Sequence, residues 1–297
     1  MKTPSALARV SEENGRGNRR AKDDWVAAAE HRTRVTALLL EAGARAEAGA
    51  GAEAGGGNGD LVLLGAGNAT DVDLDALSQR FESIHLVDLD SAALARAAAR
   101  QRPEVRAKLQ LRGGVDLTGL LDRLDAWKAR PPDAAARHEA VAGAVTSLLG
   151  RLPGGAAVVA SCCLMSQLGW CLELALGSAL AGPLELRPDV VALHLRVIAG
   201  LLRPGGVGVL INDVTSSERY PLDDLPPETD LAPLAAELVR GQRVIYAAAN
   251  PLSIGRVLRQ DPALAGTFAP PEAAAPWLWR GRAERTYLVY PQILARR

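Results

Sequence analysis

Asp60-Leu61-Val62-Leu63-Leu64-Gly65-Ala66-Gly67-Asn68-Ala69-Thr70-Asp71, followed by Ile84-His85-Leu86-Val87-Asp88-Leu89-Asp90, decides how the chain is read. The first run is a short, wholly apolar strand that stops at a Gly-x-Gly turn; the second is another apolar strand that ends on an acid. Glycines at 65 and 67 can take backbone angles closed to other residues, and without side chains they let a ligand approach the main chain. The helix that follows aims its free N–H groups at the same place. Asp88 lies 88 − 67 = 21 positions beyond the second glycine. That is about where a Rossmann-type unit requires a carboxylate for ribose hydroxyls.

Working outward, strands and helices alternate. Leu74, Leu77 and Phe81 mark the first crossover helix, with Thr70 or Asp71 as its N-cap. Ser91 opens an alanine-rich helix that Pro103 closes, and Leu109 and Leu111 alternate in a third strand before Gly113-Gly114-Val115-Asp116. Helices are expected around Leu121 to Trp127 and Val141 to Leu149, then a strand from Ala156 to Ala160. A helix from Val190 to Leu202 follows, and a strand from Val207 to Ile211 is closed by Asn212 and Asp213. Such alternation predicts a doubly wound α/β fold, a mostly parallel seven-stranded sheet with helices on both faces. Asp88, Asp116, Ser161 and Asp213 each follow a strand's carboxyl end and should line one rim, where such sheets bind ligands.

Composition narrows the function. Of 297 residues 48% are hydrophobic, ample for a large core. Lys plus Arg and Asp plus Glu both number 34, so no global field draws in nucleic acid or an anionic membrane, and neither is an expected partner. The segment from Ala156 to Gly182 carries Glu173 as its only formal charge, but its polar interruptions favour a buried strand and helix over a membrane span. Three clustered cysteines (Cys162, Cys163, Cys171) and four histidines show no zinc spacing; no metal is expected, and a reducing, cytoplasmic setting is the default. Cys162 and Cys163 read as packing residues, and His85 and His194 as structural histidines.

The chain divides into a solvated basic tail (1–22) and a helical extension (23–41), whose His31 and Arg32 are placed on an exposed polar face. An Ala/Gly/Glu linker (42–59) and the main domain (60–297) follow. At the carboxyl end Trp277-Leu278-Trp279, a turn around Arg280 to Glu284, and Thr286 to Ile293 read as an antiparallel hairpin.

Leu-Gly-Ala-Gly at 64–67, Asp88, Asp116 and Leu-Leu-Arg-Pro-Gly-Gly at 201–206, together with that hairpin, resemble the class I, Rossmann-like methyltransferases that use S-adenosylmethionine. The resemblance implies methyl transfer from S-adenosylmethionine to an acceptor, most simply a small molecule. It implies that Gly65, Ala66, Gly67 and Asn68 pass beneath the methionine and ribose parts of the cofactor. Asp88 would accept the ribose hydroxyls beside Leu89, Asp116 would receive the adenine amino group, and Ser161 would stand near the sulfonium. The chain departs from the family at Leu63, where an acid is common, and at Ala69, where a third glycine is common. Read from the residues alone, Asp116 equally serves as the cap of a helix beginning near Leu117, and Asp88 as the cap of the helix that Ser91 begins. In-line methyl transfer depends on alignment and exclusion of water, so no fixed catalytic motif is required and no catalytic residue is assigned. The acceptor pocket is expected from the amino-terminal helix, the region after Ser161 and the segment from Ser216 to Trp279. The alternatives are an NAD(P)-dependent oxidoreductase, which shares the glycine turn and acid, and a non-catalytic S-adenosylmethionine-binding protein.

Overall fold

A computed structural model describes residues 4–49, 59–181, 184–241, 249–281 and 285–297. Its strands are β1 (Leu61–Leu64), β2 (Ile84–Val87), β3 (Leu109–Arg112), β4 (Ala156–Cys162), β5 (Leu202–Ser216), β6 (Glu272–Ala273), β7 (Trp277–Arg280) and β8 (Thr286–Ala295). They form one sheet in the order β3-β2-β1-β4-β5-β8-β6, with β7 also on β8. The first five are mutually parallel; β8 runs antiparallel to β5, and β6 and β7 antiparallel to β8. This is the doubly wound sheet expected, with eight strands among the described residues instead of seven because β6 adds a two-residue pairing. The expected hairpin is β7–β8, and residues 282–284 of its turn lie outside the described residues.

The helices are α1 (Ala6–Arg20), α2 (Ala29–Gly49), α3 (Leu74–Arg80), α4 (Ser91–Ala99), α5 (Pro103–Ala107), α6 (Leu124–Ala129), α7 (Ala134–Arg151), α8 (Leu164–Leu176), α9 (Arg187–Leu201), α10 (Leu231–Arg240) and α11 (Pro251–Gln260). Strand alternation splits the core. Leu61 and Leu63 face α2, α3 and α4, with Val35, Leu39 and Phe81; Val62 and Leu64 face α7, α8 and α9, with Leu148, Leu172 and Ile198. Because both faces are covered, the central strands need apolar residues at every position, which is the pattern that made them legible. Among the described residues no helix is long and apolar enough to cross a membrane.

Three expectations are corrected. The expected solvated tail of residues 1–22 is, from residue 4 on, built around a packed helix: Ser5 caps α1 by accepting from the Ala8 N–H, and Ala6 and Val10 are fully buried; residues 1–3 lie outside the described residues. The Ala6 N–H and the Arg9 guanidinium both donate to Asp125, which fastens α1 to the start of α6. The extension helix runs to Gly49, because Ala42 and Ala46 continue the buried stripe of Val35 and Leu39. A linker from 42 is therefore excluded up to 49, and its remainder, 50–58, lies outside the described residues. The helix ends where the chain packs closely: a Cβ on Gly49 would stand 3.1 Å from the Gly205 carbonyl oxygen. Finally, β5 begins at Leu202 and continues to Ser216, so Asn212 and Asp213 lie within it; beyond Ile211 it pairs with β8, from Asn212↔Tyr290 to Ser216↔Tyr287.

Candidate functional site

The first crossover sets the site. Gly65 and Gly67 both have positive φ, at 72° and 48°. The N–H groups of Gly65 and Ala66 donate to the Val87 carbonyl, and the Gly67 N–H donates to Asp88 Oδ2 at 2.8 Å. The second oxygen, Oδ1, accepts from the Asp90 N–H at 2.8 Å. Asp88 thus clamps the glycine loop to the end of β2. It does not cap α4: that is Asp90, which accepts from Ala92 and Ala93. Nor do Thr70 or Asp71 cap α3, since Asp73 does. Burial pushes the Asp88 carboxyl above its ordinary range, and the N–H groups of Asp90 and Gly67 oppose that shift.

Ala69 also has positive φ, 51°, a conformation that favours glycine. Leu63 points into the α2 face of the core and offers nothing to a charged ligand group. Asn68 is buried; its amide donates to the Asn18 carbonyl of α1, and its Oδ1 accepts from Arg96.

Asp116 accepts from the Thr118 N–H and hydroxyl on Oδ1 and from the Leu121 N–H on Oδ2. It holds a turn together; no helix begins at Leu117. Burial raises its carboxyl pKa, against the Thr118 hydroxyl and the loop N–H groups.

Ser161 departs from its expected place. It is 1% exposed, and its Oγ is 2.9 Å from Nε2 of the fully buried His194, so it belongs to the core beneath the rim. Burial lowers His194 to about 4, which keeps the imidazole neutral. The expectation of structural histidines holds there and at His85, which faces Asp60 at 3.4 Å. Burial pushes all three thiols up, away from the reactive thiolate. Asp213, on β5, is buried with Ser166 donating at 2.7 Å; burial lifts its carboxyl to about 7.

Two spaces open onto this rim. A cavity of about 390 Å³ is floored by Gly65, Ala66, Gly67 and Asn68 and edged by Asp88 and Asp71. Asn14, Asn18 and Arg20 of α1, Gln167 of α8, and Trp279 and Tyr287 of the hairpin close its other sides. A narrow extension of about 30 Å³ runs on between Asp88, Leu89, Val115, Asp116 and Thr118 on one side and Leu164 and Leu168 on the other. The structure therefore gathers the loop residues, Asp88, Leu89 and Asp116, and leaves Ser161 out. The sequence reading missed α1, whose Asn14, Asn18 and Arg20 roof the loop; the only available signal was Ser5 before Ala6 and Val10. It also misplaced His31. That ring is 1% exposed, stacked on Trp279 at 4.3 Å, with Nδ1 accepting from the Trp277 indole N–H at 3.1 Å. Among the described residues no group of three His, Cys, Asp or Glu side chains could hold a metal ion.

The sheet order and the rim cavity define a Rossmann-like α/β domain with its pocket at the carboxyl ends of the parallel strands. No family model and no curated protein matches the chain. Among solved structures it is similar to an arsenic(III) S-adenosylmethionine methyltransferase from Chlamydomonas reinhardtii, at 16% identity and a TM-score of 0.39. That alignment covers 81% of this chain and 64% of the algal one, so the chain spans a little under two thirds of its length. A magnesium protoporphyrin IX methyltransferase from Synechocystis, solved with S-adenosylhomocysteine, aligns at 10% identity over 92% of this chain and 84% of its own, with a TM-score of 0.43. An amino pentose methyltransferase from Micromonospora echinaspora aligns at 19% identity over 59% and 49%, with a TM-score of 0.29.

Proposed function

We propose that the chain transfers a methyl group from S-adenosylmethionine to a small-molecule acceptor. The observation that carries this reading is the buried Asp88 carboxylate at the edge of the glycine-floored cavity. An ionised carboxylate has about four acceptor sites, and Asp88 uses one on each oxygen. Burial without further donors is what raises its pKa, so two ribose hydroxyls would complete its hydrogen bonding. In that arrangement Gly65 to Asn68 would lie under the methionine and ribose parts. The adenine would lie toward Leu89 and Asp116, in the extension that α1 and α8 now close to about one water's volume. Asn14, Asn18 and Arg20 would be polar neighbours of the amino-acid end, though none supplies the carboxylate missing at 63.

The cofactor, when bound, supplies a methyl carbon already activated by the sulfonium. What remains for the protein is alignment and dryness. The loop and Asp88 fix one reactant, α1 roofs it against water, and Trp279, Tyr287 and Gln167 shape the side from which the acceptor enters. The antiparallel β8 beside β5 favours this reading over an oxidoreductase, whose sheet would usually continue in parallel. Leu63 and the strained Ala69 are what favour a binding protein without chemistry.

A thermal-shift panel tests the proposal. S-adenosylmethionine and S-adenosylhomocysteine should raise the melting temperature, and NAD and NADP should not. Stabilisation by NAD alone would reverse the assignment. Binding without methyl transfer to any member of a small-molecule acceptor library would leave the binding-protein alternative.

A further inference from the structure

Beside the glycine loop, the rim holds a constellation that cofactor binding does not use. Asp71 lines the same cavity with its carboxylate one-third exposed, and no hydrogen bond to it is formed among the described residues. Across from it is His31, whose Nε2 stands 3.9 Å from Asp71 Oδ1 and makes no hydrogen bond. The state of that ring follows from its other nitrogen. An indole N–H can only donate, so the Nδ1 that receives Trp277 carries no proton, and the neutral ring must carry its proton on Nε2, facing Asp71. Burial keeps it neutral. His31 therefore has no lone pair to offer a substrate. Its Nε2–H faces Asp71 from beyond hydrogen-bond distance.

Aromatic surface completes the group. Trp279 stacks one face on His31 and lines the cavity, with Tyr287 tilted beside it at 5.3 Å. Arg32 of α2 interacts electrostatically with Asp73 and Asp71, while its guanidinium is held by the Trp25 and Thr70 carbonyls and lies 3.5 Å over the Trp25 ring.

We infer that the methyl acceptor is a basic amine, held as its ammonium by Asp71 against the Trp279 and Tyr287 rings. The inference rests on the methyltransferase reading and names its substrate class. A carboxylate with aromatic faces beside it is a site for an organic cation. The chemistry points the same way. An amine that has released one proton to water attacks with its own lone pair: the N–C bond forms, the C–S bond breaks, and the sulfur keeps that electron pair. The product is a methylated ammonium, its charge paired with Asp71, and no base acts in the step. A hydroxyl acceptor would need a base to take its proton; the imidazole has its lone pair committed to Trp277, which leaves a carboxylate, a weak base for a hydroxyl.

Calorimetry separates these cases, with 2-phenylethylamine and 2-phenylethanol as probes, titrated into the full chain with and without saturating S-adenosylhomocysteine. The amine should bind at least about tenfold more tightly than the alcohol. Asp71→Asn should abolish that preference and Asp71→Glu should retain it, both melting within about 1 °C of wild type. Equal binding of the two probes, no binding of the amine at millimolar concentration, or a preference that survives Asp71→Asn would each overturn the inference. Failure of S-adenosylhomocysteine to bind would instead remove the methyltransferase reading, since the amine preference is measured in its absence as well.

Discussion

Two sides of the same rim treat their carboxylates differently. On the β2 and β3 side, Asp88 and Asp116 spend both oxygens on backbone N–H groups of neighbouring loops. On the β1 and β5 side, no N–H among the described residues donates to either carboxylate from a neighbouring loop: Asp71 faces the His31 imidazole at 3.9 Å and the charge of Arg32, and Asp213 has the Ser166 hydroxyl. The first pair builds the backbone of a binding site; the second carries charge that the fold itself leaves poorly compensated. Acids that organise loops should be costly to remove, and acids with few partners should be cheap or even profitable to remove.

The sharpest test is Asp88→Ala. It orphans the Gly67 and Asp90 N–H groups and should destabilise the fold by about 1–3 kcal/mol. It should also weaken S-adenosylhomocysteine binding by about tenfold to a hundredfold in calorimetry. Wild-type affinity in a folded variant would erase the distinction between the two sides.

Asp213→Asn should act in the opposite sense. The folded-state pKa of about 7 lies above the ordinary value of 3.8, so the native protein holds this proton more tightly than the unfolded chain. Its stabilising share is full below about pH 4 and is lost as pH rises to about 7. The amide should therefore be more stable than wild type at pH 8, by an amount on the order of a kcal/mol or more, and gain nothing at pH 4. His194 has the reverse linkage: its folded pKa of about 4 lies below 6.5, so its share is lost as pH falls through that window. Urea melts of Asp213→Asn and wild type at both pH values isolate the first effect.

Ala69→Gly should raise stability by about 0.5–1 kcal/mol, since the native φ of 51° suits glycine. Loss of a buried methyl offsets part of this gain, and a melting temperature below wild type would show that packing wins. The smallest effect belongs to Asp71→Asn, whose unfolding free energy should lie within about 0.5 kcal/mol of wild type, because no hydrogen bond is lost. A larger destabilisation would place Asp71 with the loop-building acids.

What could be read in advance follows the same division. The β1 and β2 strands, the glycine turn and Asp88 were legible because each announces itself through a local rule: a fully apolar strand, a left-handed turn, an acid at fixed spacing. The β7–β8 hairpin was legible through alternation. Helix α1 was not, since its packing rests on Ala6, Val10 and the small Gly15, which form no recognisable apolar stripe. Ser161 looked like a rim residue because it ends a strand pattern, yet β4 carries its register one residue further, to Cys162, and turns that hydroxyl toward His194. His31 and Asp71 are 40 positions apart, and Trp277 comes 246 residues after His31, so only the assembled sheet brings them together.

That last contact bears on how the protein is made. Helix α2 leaves the ribosome early, with Val35, Leu39, Ala42 and Ala46 needing cover that comes from the sheet, β5 included. From Gly49 to the end of β5 at Ser216 is 167 residues, roughly 8 to 33 s of synthesis at about 5–20 residues per second. Its seal through Trp277 comes later still. A helix made before the sheet is among the last to dock, and over that interval a nascent chain presents α2's apolar stripe to whatever chaperone attends the exit tunnel.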